Sequence, residues 1–215
     1  SASVIVNQVT HPNPSQLLGP MEVAGQKAHL IIANPAGITC DGCGFLNATQ
    51  GTLTTGTPVL SGNGSLDHFR VAGGTLSIQG KGLDASQIDS TALFAKAVSL
   101  SAALKANTLA VVAGNNTISP DGQKITVTHS GLPAHGVGID VAHLGGMYAN
   151  KITLVATELG AGVHHAGITE AGQGGLSILS EGGLVQSGSL HSQGDISIHT
   201  NQSNLTNTGT IYAQQ

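Results

Sequence analysis

Two cysteines three positions apart are the residues with the most evident chemistry. Cys40 and Cys43 are the only cysteines among 215 residues. A Cys-x-x-Cys pair can ligate zinc, cycle between dithiol and disulfide, or form a structural disulfide. Zinc needs two more ligands, and none of the ten histidines has a metal-ligand spacing to the pair. A redox pair is typical of a helix N-terminus, which Gly42 and Gly44 disfavour. From the residues alone, a disulfide, free thiols and a metal or redox role remain open.

A turn-forming tetrapeptide, Asn34-Pro35-Ala36-Gly37, precedes the cysteines. Proline fixes φ and glycine permits a positive φ, so this order of residues favours a tight turn. We expect it to reverse the chain between strands at residues 30–33 and 38–39. From the residues alone, an ordinary β-turn is the simplest interpretation.

No other group of residues predicts catalysis or metal binding. His164 and His165 follow a predicted strand, so their side chains should point to opposite faces, and we expect ordinary surface residues. Carboxylates are few and scattered, and we find no Ser-His-Asp arrangement, phosphate-binding loop or repeated calcium-binding motif in the sequence. We therefore predict no catalytic residue, no metal, no cofactor and no small-molecule substrate.

The composition argues against several classes of protein. Only 8% of the residues are charged, and the net charge is −4 with 40% hydrophobic residues, so charge-driven disorder is disfavoured. No apolar stretch is long enough for a membrane-spanning helix. Seven scattered cations and 2% aromatic residues argue against nucleic-acid binding. Glycine contributes 31 residues, which suits short strands joined by tight turns.

Apolar positions recur with a period near 21 residues in the second half of the chain. The offsets are 20, 21 and 21 for the pairs Leu176 and Ile196, Leu184 and Leu205, and Leu190 and Ile211. One step earlier the offsets are 24, 21 and 22, for Ile152, Val163 and Ile168. Turns separate the three positions, and alternation within each predicts a strand with one buried face. We predict an all-β fold, a right-handed parallel β-helix with three short strands in each coil of about 21 residues.

The period breaks in the middle of the chain. We expect an insertion at residues 104–132, in which residues 125–128 pair with residues 109–112 as a small antiparallel hairpin outside the β-helix. The connecting turn would use Ser119-Pro120-Asp121-Gly122. Otherwise we expect a single domain over residues 1–215 and a monomer. A leucine-rich repeat is the structural alternative, but the repeats lack its Leu-x-x-Leu-x-Leu consensus and a helical segment.

Several linked motifs resemble one protein family. The turn tetrapeptide continues through Ile38-Thr39 into Cys40-Asp41-Gly42-Cys43-Gly44-Phe45, and residues 16–25 and 147–155 match the same family. The chain thus resembles the secretion domain of two-partner-secretion exoproteins, which include filamentous haemagglutinins, haemolysins and contact-dependent growth-inhibition toxins. The resemblance covers about residues 4–197. The form with two cysteines is most similar to the contact-dependent-inhibition branch.

The resemblance implies a function, a partner and a location. The domain would direct secretion of a large exoprotein to the surface of a Gram-negative bacterium by way of the periplasm. Its partner would be an outer-membrane TpsB transporter with periplasmic POTRA-type domains. The transporter-recognition motif would comprise Asn34, Pro35, Ala36, Gly37, Ile38 and Thr39. Because the periplasm is oxidising, a Cys40–Cys43 disulfide is then favoured over free thiols and over a metal or redox role.

The sequence departs from the family pattern in two places. The family usually has Asn-Pro-Asn-Gly where this chain has Ala36 as the third residue. Family members also carry a further amino-terminal region, with a cap and another Asn-Pro motif. The chain instead begins inside a strand-like run at residues 3–6, so we expect a fragment without that cap.

Two other functions remain as alternatives. The polar faces of the predicted β-helix could make the domain an adhesin module that binds a host glycan or protein. A β-helix enzyme acting on carbohydrates is the second alternative, but such enzymes cluster Asp with Arg or Lys along one groove, and this sequence has no such cluster. We therefore expect a domain that is not an enzyme.

Overall fold

The fold is built from strands, most of them short and a few, such as the strand Thr75–Ala95, long enough to continue around corners of the coil. The computed structural model describes residues 3–128, 136–201 and 203–214, and these contain 22 strands. No helix in those ranges is long and apolar enough to cross a membrane. In chain order the strands are β1 (Val4–Gln8), β2 (Ser15–Leu17), β3 (Pro20–Glu22), β4 (Ala28–Ala33), β5 (Ile38–Leu46), β6 (Ala48–Thr54), β7 (Thr57–Leu60), β8 (Leu66–Arg70), β9 (Thr75–Ala95), β10 (Ala97–Leu100), β11 (Ala103–Ala113), β12 (Asn116–Ile118), β13 (Ile125–Val127), β14 (Ile139–Val141), β15 (Gly146–Ala156), β16 (Val163–His165), β17 (Ile168–Ser180), β18 (Leu184–Gln186), β19 (Ser189–Ser192), β20 (Ile196–Thr200), β21 (Leu205–Asn207) and β22 (Thr210–Ala213).

Parallel pairing between successive coils produces three faces. Leu184 pairs with Leu205 and Leu190 pairs with Ile211, so strands about 21 residues apart lie side by side. We name the faces by their last strands: face 1 ends with β20, face 2 with β21 and face 3 with β22. Within the described residues, face 1 holds eight stacked segments from β1 to β20, and we number the coils 1 to 8 accordingly. The predicted all-β class and parallel β-helix are confirmed.

One register differs from the expected one by a single residue. The repeat predicts that Ile168 lies in the core opposite Leu190, but Thr169 pairs with Leu190 and is fully buried, while Ile168 is 43% exposed. The core accepts Thr169 because its hydroxyl is hydrogen-bonded to buried His165 at 2.8 Å. Since a satisfied buried hydroxyl costs little, this polar contact outweighs the larger hydrophobicity of Ile168.

The main core is a stack of aliphatic layers inside the coils. Leu, Ile, Val and Ala occupy nearly all of the inward positions, and Phe45 is the aromatic residue among them. The Phe45 ring lies against Gly51, where a Cβ atom would come within 2.6 Å of the ring. A narrow interior filled at the density of an organic crystal needs few large side chains, which explains the low aromatic content.

A second sheet covers part of face 1 from the outside. The hairpin β7–β8 leaves coil 3 and the hairpin β12–β13 leaves coil 5, both at the corner between faces 1 and 2. β8 and β12 pair antiparallel, so the hairpins form one four-stranded sheet. A second apolar core lies beneath it, where the ring centroids of Phe69 and Phe94 are 5.6 Å apart. Because face 1 is covered on both sides here, β4 is buried along its whole length.

The predicted insertion is wrong in its first boundary and in its strand pairing. Residues 104–113 belong to β11, which pairs parallel with β9 and β15 inside the β-helix. The hairpin pairs β12 with β13 instead, joined by the expected turn. Residues 109–112 stay in the coil because they are buried on both sides, Val111 in the main core and Val112 beneath the second sheet. Residues 129–132 of the predicted insertion lie outside the described residues.

Four glycines stack at the corner between faces 2 and 3. They are Gly145, Gly167, Gly188 and Gly209, one in each of coils 5 to 8. A Cβ atom on any of the last three would overlap the carbonyl oxygen of the glycine before it. Adjacent strands are only about 4.8 Å apart, so these corners leave no space for a side chain. The turn glycines in the repeat are therefore explained by close stacking of backbone.

Substitution at this corner should destabilise the domain. We expect Gly188→Ala to lower the free energy of unfolding by roughly 1–3 kcal/mol, because the new methyl group must displace the carbonyl oxygen of Gly167. Urea denaturation followed by circular dichroism measures the change. Gly62→Ala is the matched control, since a Cβ atom there meets nothing within 4 Å. Equal stability of both variants would contradict the stacking argument.

Candidate functional site

The segment Asn34-Pro35-Ala36-Gly37 forms the corner between faces 1 and 2 in coil 2. The Gly37 amide donates to the Asn34 carbonyl oxygen at 3.1 Å, and the Ala36 amide donates to Asn34 Oδ1 at 3.0 Å. A β-turn and an Asx turn therefore coincide. Gly37 has a φ of +124°, which favours glycine. The turn does not fold β4 back on β5 as expected, since these strands lie on different faces and pair with other coils.

The side chain of Asn34 connects two coils. It is fully buried, and its Nδ2 donates to the carbonyl oxygen of Asn13 at 2.8 Å and to Ser15 Oγ at 2.9 Å. Both acceptors belong to the chain segment between β1 and the start of β2 in coil 1. The Asn34 amide thus contributes to the fold whatever else the motif does.

The same amide bridge recurs outside the motif. Asn107 Nδ2 donates to the carbonyl oxygens of Ser86 and Ile88 at 3.0 and 2.7 Å. The sequence separations, 21 and 19 residues, are those of Asn34 and its two partners. A side-chain amide that joins successive coils is therefore a repeated device of this β-helix, buried at Asn34 and exposed at Asn107. Asn107 serves as a control for loss of such a bridge.

Only part of the predicted recognition motif is exposed in the folded domain. Pro35 and Ala36 are exposed and Thr39 is half-buried, whereas Asn34 and Ile38 are buried. Ala36 stands where the family usually has asparagine, and the turn uses its backbone amide, so the departure leaves the turn intact. A partner of the folded domain could touch little of this motif beyond two residues.

A cavity of about 490 Å³ lies beside the exposed part of the motif. It is lined by Pro35 and Ala36 and by residues 8–12 of coil 1. Coil 1 and the turn together therefore shape the surface at which the motif reaches solvent.

The two cysteines form a disulfide at the other end of the same face 2 strand. Cys40 and Cys43 are buried, with Cα atoms 5.4 Å apart, and they bracket the corner between faces 2 and 3. Gly42 has a φ of +78°, and Asp41 Oδ1 accepts a hydrogen bond from the Lys81 amide of the next coil at 2.9 Å. No group of three or more His, Cys, Asp or Glu residues suited to a metal ion occurs in the part of the chain that the structure describes.

The residues after the disulfide fit against the next coil. A Cβ atom on Gly44 would overlap the carbonyl oxygen of Asp84, and the Phe45 ring covers Gly51 in the core. The order of residues from Cys40 to Phe45 is thus accounted for by one tightly packed corner. The structure brings the turn and the disulfide together as the two corners that bracket a single strand segment.

A buried histidine lies on the strand that leads into the turn. His29 is 7% exposed, and its Nε2 is hydrogen-bonded to Thr52 Oγ1 at 2.7 Å. Burial lowers the pKa of His29 to about 4, because the charged imidazolium loses its hydration. The side chain is therefore neutral at physiological pH.

His165 belongs to a polar network inside the core that the sequence did not reveal. His164 and His165 do point to opposite sides, but only His164 is on the surface. Gln186 Nε2 donates to two carbonyl oxygens, which leaves Gln186 Oε1 as an acceptor. It accepts a hydrogen bond from His165 Nδ1 at 2.6 Å. His165 Nε2 then has no proton and accepts a hydrogen bond from the Thr169 hydroxyl. Burial lowers the pKa of His165, against a smaller opposing effect of its hydrogen bond to Gln186. The sequence signal that could have revealed this network is the 21-residue offset between His165 and Gln186, which equals the period of the coils.

Comparison with known proteins gives one consistent result. A family model described as "TPS secretion domain" matches residues 1–185. Toxin CdiA of Yersinia pestis is 46% identical over 214 residues, which is 99% of this chain, and tRNA nuclease CdiA-2 of Burkholderia pseudomallei strain 1026b is 45% identical over 87% of this chain. The chain spans only 6% of the length of each of these relatives. The crystal structure of the filamentous hemagglutinin secretion domain superimposes with a TM-score of 0.72 at 29% identity, covering 98% of this chain and 75% of that one.

The buried His29 should make stability depend on pH. Its folded pKa of about 4 lies below the value near 6.5 of an unfolded histidine, so the unfolded state binds a proton that the folded state excludes. This contribution is complete above pH 6.5 and is lost as the pH falls towards 4. Between pH 7 and pH 4.5 we expect a loss of roughly 2–3 kcal/mol from this residue.

Urea denaturation of the wild type and of His29→Gln at both pH values measures this contribution. Glutamine can keep a hydrogen bond to Thr52 but does not titrate, so the variant should lose less stability on acidification. The difference isolates His29 from His165, whose pKa is also lowered by burial and which acts in the same direction. An equal loss in both proteins would show that His29 is not the titrating group.

The disulfide should contribute modestly to stability. It closes a loop over a sequence separation of only 3, for which the entropy of the unfolded chain predicts about 2 kcal/mol. We expect the double variant Cys40→Ala, Cys43→Ala to fold with a free energy of unfolding lower by about that amount. Calorimetry or urea denaturation provides the measurement. A loss well beyond this value would mean that the disulfide has a role in packing rather than in closing the loop.

Proposed function

The chain belongs to the TPS secretion domain family, and from this premise we propose that it directs export of a longer exoprotein through an outer-membrane TpsB transporter. The family and the match to the filamentous hemagglutinin secretion domain support a role in secretion. The observation that carries the finer proposal is that most of the recognition motif is buried at the corner between faces 1 and 2 of coil 2, so that its buried residues are accessible only before the coils assemble.

Recognition by the transporter takes place on an extended chain. In the folded domain β4 is paired on both edges, with β1 and β6, and β5 is paired with β2 and β3 on one edge and β9 on the other. Both edges of β4 and most of both edges of β5 are then unavailable for addition to another sheet. An unfolded segment of this kind, apolar and weakly charged, can add as a strand to a sheet edge of the periplasmic POTRA-type domains.

Folding makes most of the motif inaccessible to the transporter. Once coil 1 is in place, the Asn34 amide is occupied by Asn13 and Ser15, so the atoms available to a partner in the extended chain are used inside the β-helix. Apart from the pairing of the hairpins that leave coils 3 and 5, the stacked strands pair only with those of neighbouring coils, so coils can form one after another as the chain emerges. Assembly outside the cell then opposes backward movement and requires no nucleotide.

The names of the relatives describe larger proteins. Three of them are called tRNA nuclease or toxin, but this chain corresponds to only 6% or 7% of their length. We place such activities outside this domain, which acts as a monomeric secretion module and not as an enzyme. The whole exoprotein would reach the surface of a Gram-negative bacterium through the periplasm.

Comparison of two asparagine variants tests the recognition role. Asn34→Ala and Asn107→Ala each remove an amide that donates twice to the previous coil; the loss of stability should be roughly 1–3 kcal/mol at the buried Asn34 and smaller at the exposed Asn107. Only Asn34 belongs to the motif, so Asn34→Ala should reduce export of a reporter fused to the domain by at least about tenfold while Asn107→Ala leaves it near normal.

Binding to isolated POTRA-type domains of the cognate transporter separates recognition from folding. Wild-type domain kept unfolded in urea and diluted into the assay should bind, folded domain should bind much less, and unfolded Asn34→Ala should bind weakly. Equal export and equal binding of the Asn34 and Asn107 variants would remove the recognition role and leave Asn34 as a structural residue.

A further inference from the structure

A groove lies on the outer surface of face 1. Its volume is about 750 Å³, within the range of small-ligand sites. The second sheet covers only one end of the face 1 strands, and the groove occupies the uncovered end. We call this the face 1 groove, and its floor is formed by Ser90, Ala92, Thr108, Ala110, Lys151 and Thr153.

One wall of the face 1 groove is a rigid turn. The turn between β12 and β13 places Pro120 to Gln123 along the groove. Ser119 Oγ donates to Asp121 Oδ1 at 2.6 Å, and the Gln123 amide donates to the same oxygen at 2.9 Å. The hydrogen bond from Ser119 is the largest of the effects that lower the pKa of Asp121, so its carboxylate is ionised and held in place. The wall is therefore formed before any ligand arrives.

The opposite wall comes from later coils. Leu159, Leu179 and Glu181 line it, and Glu181 Oε2 accepts a hydrogen bond from Asn201 Nδ2 at 3.1 Å. The groove thus has two carboxylates, Asp121 and Glu181, and one cation, Lys151, among its described lining residues. This balance disfavours an acidic ligand.

The floor offers hydroxyl groups and no free backbone. Each strand beneath it is paired with strands of both neighbouring coils, so its amides and carbonyls are already used. A peptide strand therefore cannot add to this surface by backbone pairing. The hydroxyls of Ser90, Thr108 and Thr153 have no side-chain hydrogen bond within the described residues, so they can donate to and accept from a ligand.

The side chains on the floor are too small to anchor a protein partner. None of the described lining residues is aromatic, and interfaces between proteins depend on buried aromatic or arginine anchors. The groove instead presents carboxylates, hydroxyls and the amides of Gln50 and Gln123. These groups form hydrogen bonds with vicinal diols. Methyl groups of Ala92 and Ala110 provide the apolar contact that the C–H faces of sugar rings need.

We propose that the face 1 groove binds a neutral linear oligosaccharide lying parallel to the axis of the β-helix. The lining spans four coil steps from Gln50 in coil 3 to Glu181 in coil 7, and Asn201 of coil 8 also contributes to it. At about 4.8 Å per coil this is roughly 19 Å, enough for about four sugar units. The site is separate from the corners of coil 2, so it does not depend on the proposed secretion function.

The test is titration of the folded domain with a panel of tetrasaccharides. The neutral probes are cellotetraose, maltotetraose and chitotetraose, and tetragalacturonic acid is the acidic comparison. Binding is measured by calorimetry and by changes in amide NMR shifts. We expect at least one neutral probe to shift amides of the floor and of the turn, and the acidic probe to bind at least tenfold more weakly.

Two variants and a control decide whether the groove is responsible. Ser90→Ala with Thr153→Val removes two floor hydroxyls, and Ala110→Phe fills the groove; each should weaken binding at least tenfold. Ser99→Ala with Thr206→Val removes two hydroxyls from face 2 and should leave binding unchanged. Thermal unfolding checks that each variant is folded. The proposal is overturned if no neutral probe shifts groove amides at 10 mM, if folded groove variants bind normally, or if the acidic probe binds best.

Discussion

The spacing of about 4.8 Å between successive coils is the constraint on which the rest of the structure depends. Within that distance a corner can hold a glycine, a short polar side chain that bonds to the coil before it, or a side chain that points outward. The stacked glycines from Gly145 to Gly209 use the first solution, and Asn34 and Asn107 use the second. Straight segments between corners can then alternate inward and outward side chains, which forms the aliphatic core.

This constraint changes how the two motif segments should be interpreted. Asn34 to Gly37 and Cys40 to Phe45 form two of the three corners of coil 2, and nearly every residue in them has a structural explanation in the contacts of the folded domain. If the transporter recognises these residues, it must therefore bind the same atoms before the coils fold. The two roles are compatible only if the transporter meets the extended chain, because the folded corner exposes little besides Pro35 and Ala36.

Alternation and the 21-residue period predicted the coils, because both follow directly from strand geometry and parallel stacking. They could not predict where polar residues replace apolar ones: Thr169 takes a core position because its hydroxyl is hydrogen-bonded to His165, which is in turn hydrogen-bonded to Gln186. The hairpin β7–β8 was missed because its apolar residues, such as Phe69, cover the outside of face 1 and do not follow the coil period. Leu109 and Ile152 pair at an offset of 43, so the period alone misplaced the start of the insertion.

The second sheet has a consequence beyond burial of face 1. It covers the ends of the strands that carry Phe94, Val112 and Val155, and it stops where the outward residues become Ala92, Ala110 and Thr153. On these three strands the large apolar side chains thus lie at the covered end, and the uncovered end carries Lys151 and short side chains that water tolerates. The large apolar residues at the covered end stabilise the hairpins. The uncovered end forms the floor of the groove, which carries hydroxyl groups, and the turn between β12 and β13 forms one wall. Since coil 2 contributes no residue to that groove, loss of ligand binding and loss of export are separable by mutation.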